Sequence, residues 1–223
     1  MKPGKKTARK RILIVDDHPM MREGLAQLIE QEKDLEVCGQ SDTARQALEL
    51  AGKCDPDLVL ADITLPDKNG LELIKDLQAM RPGTQVLVIS MHDESLYAER
   101  VLRAGGRGYI MKQEGGKKLM QAIRQVLEGR VYVSERMSAA ILEVLSGGKS
   151  SAGSPVQQLT DREFEVFQLI GQGLDMKAIA DRLHLSVKTA EVHRTNIKQK
   201  LRLRSVGEVI RHAVRWIESN PSN

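Results

Sequence analysis

The sequence predicts an α/β domain with a doubly wound, five-stranded parallel sheet, followed by a small all-α domain of four helices. Three observations support this prediction. Short aliphatic runs alternate with amphipathic segments as far as about residue 129, small polar residues without periodicity follow at 146–158, and only helical patterns come after them. Strands that alternate with helices are typical of a parallel sheet covered on both faces.

Five segments of the first domain are predicted to be strands. Three of them are nearly continuous aliphatic runs, as expected where a parallel sheet is buried on both faces. The five segments cover residues 11–16, 35–40, 57–62, 85–90 and 107–111.

The segments that follow these strands repeat their apolar residues with the period of an amphipathic helix. Gly, Pro or Asp marks most of the joints, as at Asp55-Pro56 and Gly105-Gly106, where the chain is expected to turn. The predicted helices cover residues 19–31, 43–52, 69–80, 94–104 and 116–128.

A change in composition separates the two domains. Residues 131–145 are predicted to form a short extension that ends in a helix, and residues 146–158 have the small, polar composition of a flexible linker. We therefore predict a first domain at 11–130, an extension and linker at 131–158, and a second domain at 159–219.

The second domain is predicted to contain four short helices. A Glu follows Thr160 and Ser205 three residues later, which is the spacing of a capping box. The tight step DRLHLS (181–186) between the second and third helices is typical of a helix-turn-helix. The helices cover residues 161–171, 176–183, 187–201 and 206–218, and their predicted N-caps are Thr160, Asp175, Ser186 and Ser205.

Basic side chains are concentrated in and after the third of these helices. The chain has a net charge of +4, and residues 186–204 contain six basic residues against a single acid, Glu191. Concentrated positive charge indicates a polyanionic partner, although a merely solvated helix face would have the same composition. The basic residues are Lys188, Arg194, Lys198, Lys200, Arg202 and Arg204.

The composition also argues against several classes of protein. Aromatic residues make up 3% of the chain, too few for binding nucleic acid by base stacking. No apolar run approaches the roughly 20 residues that span a bilayer, and the basic N-terminus lacks the apolar stretch of a secretory signal. Cys38 and Cys54 lack metal-ligand spacing, so we expect free thiols in a reducing cytoplasm. These features predict a cytoplasmic protein without a membrane segment.

Charged side chains end or follow three of the predicted strands. Asp16 and Asp17 stand at the end of the first strand, Asp62 ends the third, and Lys112 follows the fifth. Right-handed crossovers bring these ends to one edge of the sheet, so the groups are expected to converge. Clustered carboxylates favour a hard divalent cation such as Mg²⁺, beside which an aspartate can attack a phosphoryl group and Lys112 can hold its oxygens. Singly, each acid would be interpreted as a cap or turn residue, and Lys112 as a surface lysine.

Four motifs of the first domain resemble the receiver domain of two-component response regulators, which has a flavodoxin-like fold. They occur in the same order with compatible spacing, and together they span the whole domain. The motifs are VDDHP (15–19), LVLADITLPDKNG (58–70), VISMHD (88–93) and AGGRGYIMK (104–112).

The resemblance implies a role for each matching residue. Asp62 is expected to be the phosphoacceptor, which takes its phosphoryl group from a sensor histidine kinase. Asp16, Asp17 and Asp62 are expected to bind Mg²⁺ together with the backbone carbonyl of Thr64.

The same resemblance implies a switch next to the acceptor. Ser90 corresponds to the hydroxyl that turns toward the phosphoryl group, Tyr109 to the aromatic side chain that follows it inward, and Lys112 to the phosphate-binding lysine. The chain departs from the family in having Ser90 where Thr is usual and Gln113 where Pro often follows, so no cis peptide is expected there. Phosphorylation is expected to shift an existing equilibrium and to change the surface around 91–112.

The third helix of the second domain is predicted to have a core face and a polar face. Val192 lies at the centre of the polar face, where it could contact a thymine methyl group or could simply be an exposed hydrophobic residue. His193 is assigned either to a phosphate contact or to the framework of the motif. The core residues are Ala190, Ile197 and Leu201, the predicted base contacts are Glu191, Val192 and Thr195, and the predicted phosphate contacts are Lys188, Thr189, Arg194 and Lys198.

Residues 159–201 closely resemble the LuxR-type helix-turn-helix, and the two domains together resemble the NarL/FixJ subfamily of response regulators. The resemblance implies a transcriptional regulator that binds double-stranded DNA and forms a homodimer when phosphorylated, with helix 206–218 as a candidate for pairing. The chain has Ala190 where the family usually has Val, and Glu191 where some members use a basic residue, so the resemblance does not imply a target sequence.

Two other functions were weighed against this one. A Mg²⁺-dependent phosphatase or phosphotransferase with an aspartyl nucleophile usually has an acid two residues after it, but Thr64 occupies that position, so we do not expect an enzyme. The first domain could instead be an interaction module that works without phosphate, and the sequence leaves that alternative open.

Overall fold

In a computed structural model, the structure describes residues 9–145 and 155–219. The chain falls into two compact units, Met1–Met137 and Ser138–Asn223. The first unit contains a five-stranded parallel sheet with helices on it, and the second is helical, so the predicted fold class is confirmed. The basic N-terminus, as far as residue 8, lies outside the described residues.

The five strands form one sheet in the order β2-β1-β3-β4-β5, and every neighbouring pair is parallel. The interior strands β1, β3 and β4 come from the aliphatic runs, which are almost completely buried. Each strand lies within two residues of its predicted bounds. The strands are β1 (Lys10–Val15), β2 (Leu35–Ser41), β3 (Leu58–Ala61), β4 (Gln85–Ser90) and β5 (Gly108–Met111).

Helices cover both faces of the sheet. Leu25 and Ile29 of the first helix and Ile123 of the fifth pack against one face. The alternate residues of β1, Leu13 and Val15, are fully buried on the other face. The helices that follow the strands are α1 (Pro19–Glu30), α2 (Ala44–Cys54), α3 (Gly70–Met80), α4 (Glu94–Arg103) and α5 (Gly115–Leu127). A further helix, α6 (Glu135–Leu145), begins in the first unit, and most of it belongs to the second.

The pairing of β1 with β2 contains a bulge. Ile12 pairs with Val37 and the next residue, Leu13, pairs with Gly39, so that Cys38 is an extra residue in the edge strand. A bulge changes the direction in which neighbouring side chains point, and the sequence pattern of β2 did not predict it.

The second unit contains the four predicted helices, with bounds within one residue of the prediction. Thr160 and Glu163 form the predicted capping box, and the side chains of Asp175 and Ser186 cap the next two helices. The turn before the third helix includes His184, whose φ is 52°. The helices are α7 (Asp161–Gly171), α8 (Met176–Arg182), α9 (Val187–Lys200) and α10 (Val206–Ser219).

The predicted capping box at the start of α10 forms only in part. The Glu208 backbone N–H donates to Ser205 Oγ at 3.2 Å, as predicted. The Glu208 carboxylate, however, accepts from the backbone N–H of Arg204 at 2.6 Å rather than from that of Ser205. The carboxylate therefore caps one residue earlier, in the turn that precedes the helix.

Parts of the predicted extension and linker are folded. Residues 131–145 end in α6, as predicted, and Pro155–Gln158 form a short 3₁₀ helix in which Val156 is buried. The rest of the linker, 146–154, lies outside the described residues. Among the helices of the described ranges, none is long and apolar enough to cross a membrane.

Candidate functional site

The acids predicted to converge do so at the carboxyl edge of the sheet. Asp16 directly follows β1 and Asp62 directly follows β3, and these two strands are neighbours. Asp16 is fully buried and Asp62 is 3% exposed. Asp16, Asp17, His18 and Asp62 each offer a ligand atom within 4.8 Å of the others, so this group could hold a metal ion. Three carboxylates fit a hard cation with oxygen ligands.

Lys112 lies between the two buried carboxylates. Its Nζ is 2.7 Å from Asp16 Oδ2 and 2.7 Å from Asp62 Oδ2, and its side chain is 3% exposed. We predicted that Lys112 would face phosphoryl oxygens near the acids, and the structure places it in direct contact with the carboxylates of Asp16 and Asp62. A positive charge is therefore already built into the acidic cluster.

This environment shifts the pKa of both partners. Burial raises the pKa of Asp62, although the nearby Lys112 ammonium acts in the opposite direction. Burial alone would lower the pKa of Lys112, but the carboxylates of Asp62 and Asp16 outweigh it and raise that pKa. Lys112 is therefore a fixed cation at neutral pH, which is what a binder of phosphoryl oxygens requires.

The loop after Asp62 folds back closely onto Asp62 itself. The Thr64 backbone N–H donates to Asp62 Oδ1 at 3.2 Å, and the N–H of Gly70 donates to the carbonyl of Ile63 at 2.8 Å. A Cβ atom at Gly70 would lie 2.4 Å from the carbonyl oxygen of Asp62, so only glycine fits there. The role of the Thr64 carbonyl as a metal ligand stays a prediction.

Asp67 anchors the same loop to a neighbouring helix. Its two carboxylate oxygens accept hydrogen bonds from the backbone N–H groups of Ala44 and Arg45, at 2.8 and 2.9 Å. These are N–H groups at the start of α2 that have no partner within the helix. Sequence reasoning missed this contact, because nothing in the spacing of Asp67 and α2 indicates that they meet.

Ser90 and Tyr109, the predicted switch residues, are both buried and both contact the backbone of His92. The N–H of His92 donates to Ser90 Oγ at 3.3 Å, and the Tyr109 hydroxyl donates to the carbonyl of His92 at 2.8 Å. The ring Nε2 of His92 lies 3.1 Å from the hydroxyl oxygen of Thr64. His92 therefore joins the two predicted switch residues to the loop that follows Asp62. It was missed at the sequence level, although it lies within the VISMHD motif.

His18 lies at the entrance to the acidic cluster. It precedes α1 as its N-cap residue, but its side chain makes no capping bond. Instead its Nδ1 is 2.7 Å from Asp17 Oδ1 and 3.1 Å from Asp16 Oδ1, and the side chain is 66% exposed. The ring therefore lies within hydrogen-bond distance of two of the predicted metal ligands.

Helix α9 has the two faces that the sequence predicted. Ala190 and Ile197 are fully buried and Leu201, just after the helix, is 8% exposed. Val192 is 51% exposed. Of the predicted DNA contacts, the exposed residues are Lys188, Glu191, Val192 and Thr195, and the half-buried ones are Thr189, His193, Arg194 and Lys198.

Several of these side chains already have partners within the helix. Thr195 Oγ1 donates to the carbonyl of Glu191 at 2.9 Å, and the Glu191 carboxylate lies 3.7 Å from the Arg194 guanidinium. Thr189 belongs to the cap, because its hydroxyl lies 2.7 Å from Ser186 Oγ. The Lys188 side chain is exposed and has no hydrogen bond or ion pair with another described residue.

His193 faces the framework of the motif. Its Nδ1 is buried without a hydrogen-bond partner among the described residues. Burial lowers the pKa of His193, and the charge of Arg162 lowers it further. These observations favour the framework role over the phosphate contact, because a neutral imidazole attracts a phosphate less strongly.

Comparisons with known proteins agree with both units. Residues 12–124 match the family described as response regulator receiver domain, and residues 157–213 match bacterial regulatory proteins of the luxR family. The nitrate/nitrite response regulator protein NarL of Escherichia coli K12 is 34% identical, covering 87% of this chain and 90% of the relative. Response regulator GacA of Pseudomonas aeruginosa is also 34% identical, covering 92% and 95%.

A solved structure is similar over most of the chain. It is RcsB from Salmonella enterica serovar Typhimurium bound to promoter P1flhDC in the presence of phosphomimetic BeF₃⁻, with a TM-score of 0.65. It is 22% identical and covers 92% of this chain and 98% of that chain, which is a likeness of fold. The chain therefore belongs to the two-component response regulators that join a receiver domain to a LuxR-type DNA-binding domain.

Proposed function

We propose that Asp62 accepts a phosphoryl group from the phosphohistidine of a sensor histidine kinase, and that this reaction controls DNA binding by the second unit. The observation that supports this most directly is the contact of Lys112 with both Asp16 and Asp62. In this contact one buried cation lies between two buried carboxylates, of which Asp62 is the proposed nucleophile, at a single edge of the sheet.

Mg²⁺ is the metal that we propose for the acidic cluster, held by Asp16, Asp17, Asp62 and the backbone carbonyl of Thr64. Their oxygen donors suit this cation. When bound, it supplies positive charge that offsets the negative oxygens of the incoming phosphoryl group. The chain itself contributes Lys112 to the same task.

The residues of the chain then have separate parts in the transfer. An oxygen of Asp62 attacks phosphorus, a P–O bond forms, and the P–N bond to the donor imidazole breaks. The aspartyl phosphate adds about −1.5 to −2 charges at this point. Lys112 moves its contact from the carboxylate to the phosphoryl oxygens, and Ser90 gives up its bond to His92 to donate to them. Tyr109 and the loop after β4 move together with Ser90. This movement shifts the equilibrium between inactive and active states.

For the second unit we propose that α9 enters the major groove of double-stranded DNA. Glu191, Val192 and Thr195 would contact base edges, and Lys188, Thr189, Arg194 and Lys198 would contact phosphates. His193 supports the framework. We also propose that phosphorylation favours a homodimer, since two copies would match a two-fold target site.

The remaining assignments are proposals of the same kind. We propose a receiver at 11–130, an extension and linker at 131–158, and a DNA-binding domain at 159–219. The protein is a regulator rather than an enzyme, and it acts in the cytoplasm, where a sensor kinase would transfer its phosphoryl group.

Incubation with Mg²⁺ and radiolabelled acetyl phosphate tests the acceptor. We expect acid-labile, hydroxylamine-sensitive label on the wild type and none on Asp62→Asn. Asp42→Asn is the matched control, because Asp42 is an exposed aspartate of the same unit and should leave the label unchanged. Label that persists on Asp62→Asn would overturn the assignment.

DNA binding by the labelled protein tests the second half of the proposal. We expect phosphorylated wild type to select and bind a specific duplex from random DNA more tightly than the unphosphorylated protein does. Equal binding by the two forms would favour the alternative, an interaction module that works without phosphate.

A further inference from the structure

Two cysteines meet in the first unit, away from the phosphoacceptor. Cys38 lies in β2 and Cys54 is the last residue of α2, and their Sγ atoms are 2.9 Å apart. Both are free thiols, Cys38 half-buried and Cys54 buried with 7% exposure. Sixteen positions separate them in sequence, so the fold, rather than local chain geometry, brings them together.

The bulge in β2 provides the reason why they meet. Consecutive residues of a regular strand point to opposite faces of the sheet. A Cβ atom on Gly39 would lie 3.0 Å from Leu13 and 3.5 Å from Leu50 of α2, so Gly39 faces that helix. Cys38 faces the same helix, because its Sγ contacts Cys54. Two neighbouring residues can share one face because Cys38 is the extra residue in the pairing with β1.

This pair lies at the opposite end of the sheet from the acceptor. Cys54 stands four positions before β3 begins at Leu58, whereas Asp62 follows the end of that strand. A covalent link at the cysteines therefore leaves the acidic cluster and Lys112 untouched.

We propose that Cys38 and Cys54 are a reversible modification site, at which low-molecular-weight disulfides such as oxidised glutathione produce an intramolecular disulfide between β2 and α2. The two Sγ atoms, now 2.9 Å apart, need to move only slightly closer, since the sulfur atoms of a disulfide are about 2.05 Å apart. The partially exposed thiol, Cys38, is the one that an external disulfide can reach first.

The reaction proceeds by two exchanges. The Cys38 thiolate attacks a sulfur of oxidised glutathione, forming a mixed disulfide and releasing one glutathione thiolate. The Cys54 thiolate then attacks the Cys38 sulfur, forming the Cys38–Cys54 bond and releasing the second glutathione. The two protons of the cysteines end on the two glutathione thiols, so two thiols are oxidised as one disulfide is reduced.

The surroundings of the two thiols make the exchange reaction slow, but the disulfide that it produces stabilises the fold. Burial and the neighbouring Cys54 thiol raise the pKa of Cys38 to about 12, so little thiolate is present at neutral pH. Once formed, the disulfide closes a loop that contains all of α2, and it links the edge strand β2 covalently to that helix. Such a loop stabilises the folded state mainly by restricting the unfolded chain.

Oxidation of the full-length protein with oxidised glutathione tests the proposal. After quenching with acid and alkylation, peptide mass spectrometry should find the Cys38 and Cys54 peptides joined and lighter by two hydrogen atoms. The melting temperature of the first unit should rise by roughly 5–10 °C and return to its starting value with dithiothreitol.

Two serine variants are the matched controls. In Cys54→Ser the glutathione should stay on Cys38 as a mixed disulfide, and in Cys38→Ser the remaining buried thiol should react little. Acetyl phosphate labelling of Asp62 should be unchanged in both variants. If the native wild-type protein yields only glutathione adducts or links between chains, the proposal is wrong. A joined pair without any rise in melting temperature would contradict its stabilising role.

Discussion

The hydroxyl of Tyr109 donates a hydrogen bond to the backbone carbonyl of His92, and the donor and acceptor oxygens lie 2.8 Å apart. Tyr109 comes from β5 and is 1% exposed, whereas His92 lies in the loop after β4. His92 also contacts Ser90 through its backbone N–H and the hydroxyl of Thr64 through its ring. A movement of Tyr109 is therefore coupled through His92 to Ser90 and to Thr64, which lies two residues after Asp62.

Replacing Tyr109 by Phe should remove this coupling while keeping the aromatic ring. We expect the free energy of unfolding to fall by about 1 kcal/mol, because a buried hydrogen bond is lost. Labelling of Asp62 by acetyl phosphate should persist, but phosphorylation should strengthen DNA binding less than in the wild type. Urea unfolding and binding titrations measure the two effects.

The matched control for this variant is Tyr132→Phe. The Tyr132 hydroxyl has no hydrogen bond to another described residue, and this tyrosine is only partly buried. Equal changes in stability and DNA binding for the two variants would show that the Tyr109 hydroxyl has no special role.

Gly70→Ala should disturb the loop between Asp62 and α3. The added Cβ would lie 2.4 Å from the Asp62 carbonyl oxygen and 2.7 Å from Ile63 Cα, so the backbone has to move. We expect a loss of about 1–3 kcal/mol in the free energy of unfolding and slower labelling of Asp62. Gly52→Ala is the control, because a Cβ there has nothing within 4 Å and alanine favours a helix. Equal stability of both variants would contradict the close approach at Gly70.

The stability of the second unit should depend on the protonation of Glu163. This carboxylate is 3% exposed and lies 2.6 Å from Lys200 Nζ. Burial alone would raise its pKa, but hydrogen bonds from Lys200 and Thr160 outweigh burial and hold the pKa below its ordinary value of 4.5. As the pH falls, the unfolded chain therefore binds a proton before the folded protein does. The contribution of the Glu163 carboxylate to the free energy of unfolding is complete above pH 4.5, and it is lost as the pH falls through the pKa of the folded state.

Glu163→Gln tests that contribution. We expect it to lower the free energy of unfolding by about 1–3 kcal/mol at neutral pH, and the difference from wild type should shrink in acid. Urea unfolding can be followed by the fluorescence of Trp216, which packs edge-on against Phe164 at 5.4 Å. Glu218→Gln, at an exposed glutamate of the same unit, should stay within about 0.5 kcal/mol of wild type. A constant difference at every pH would contradict the role of the charge.

Lys188→Ala should weaken binding to all DNA sequences. An exposed lysine that contacts a phosphate releases about one counterion, so the slope of log affinity against log salt should become shallower by about one. Salt titrations with a specific and an unrelated duplex measure this slope. Lys117→Ala removes an exposed lysine of the first unit and should leave the slope unchanged.

Glu191→Ala should change base preference instead of general affinity. A carboxylate can accept a hydrogen bond from cytosine N4, and in this structure it lies 3.7 Å from Arg194. Selection of bound duplexes from random DNA by the variant and by wild type compares their preferences. Identical preferences would remove Glu191 from the set of base contacts.

Much of the site could be predicted because its members occupy the ends of recognisable strands. Asp16, Asp62 and Lys112 were assigned to one edge by the rules of parallel sheets, and the structure places Lys112 Nζ 2.7 Å from a carboxylate oxygen of each acid. His92 and Asp67 were missed, since their contacts cross from one loop to another. The spacing of Glu208 predicted a capping box, but a choice between two adjacent N–H groups depends on the turn that precedes the helix.

The sequence by itself determined the two-unit organisation, the strands and helices to within two residues, and the face of α9 that packs into the core. These features follow from the period of apolar residues and from caps, which act over a few neighbouring positions. Only the tertiary structure decided that Lys112 bridges two buried acids, that Gly70 touches Asp62, and that Cys38 faces Cys54. Each of these depends on the register and bulges of packed elements, which bring together residues distant in sequence and leave no local pattern.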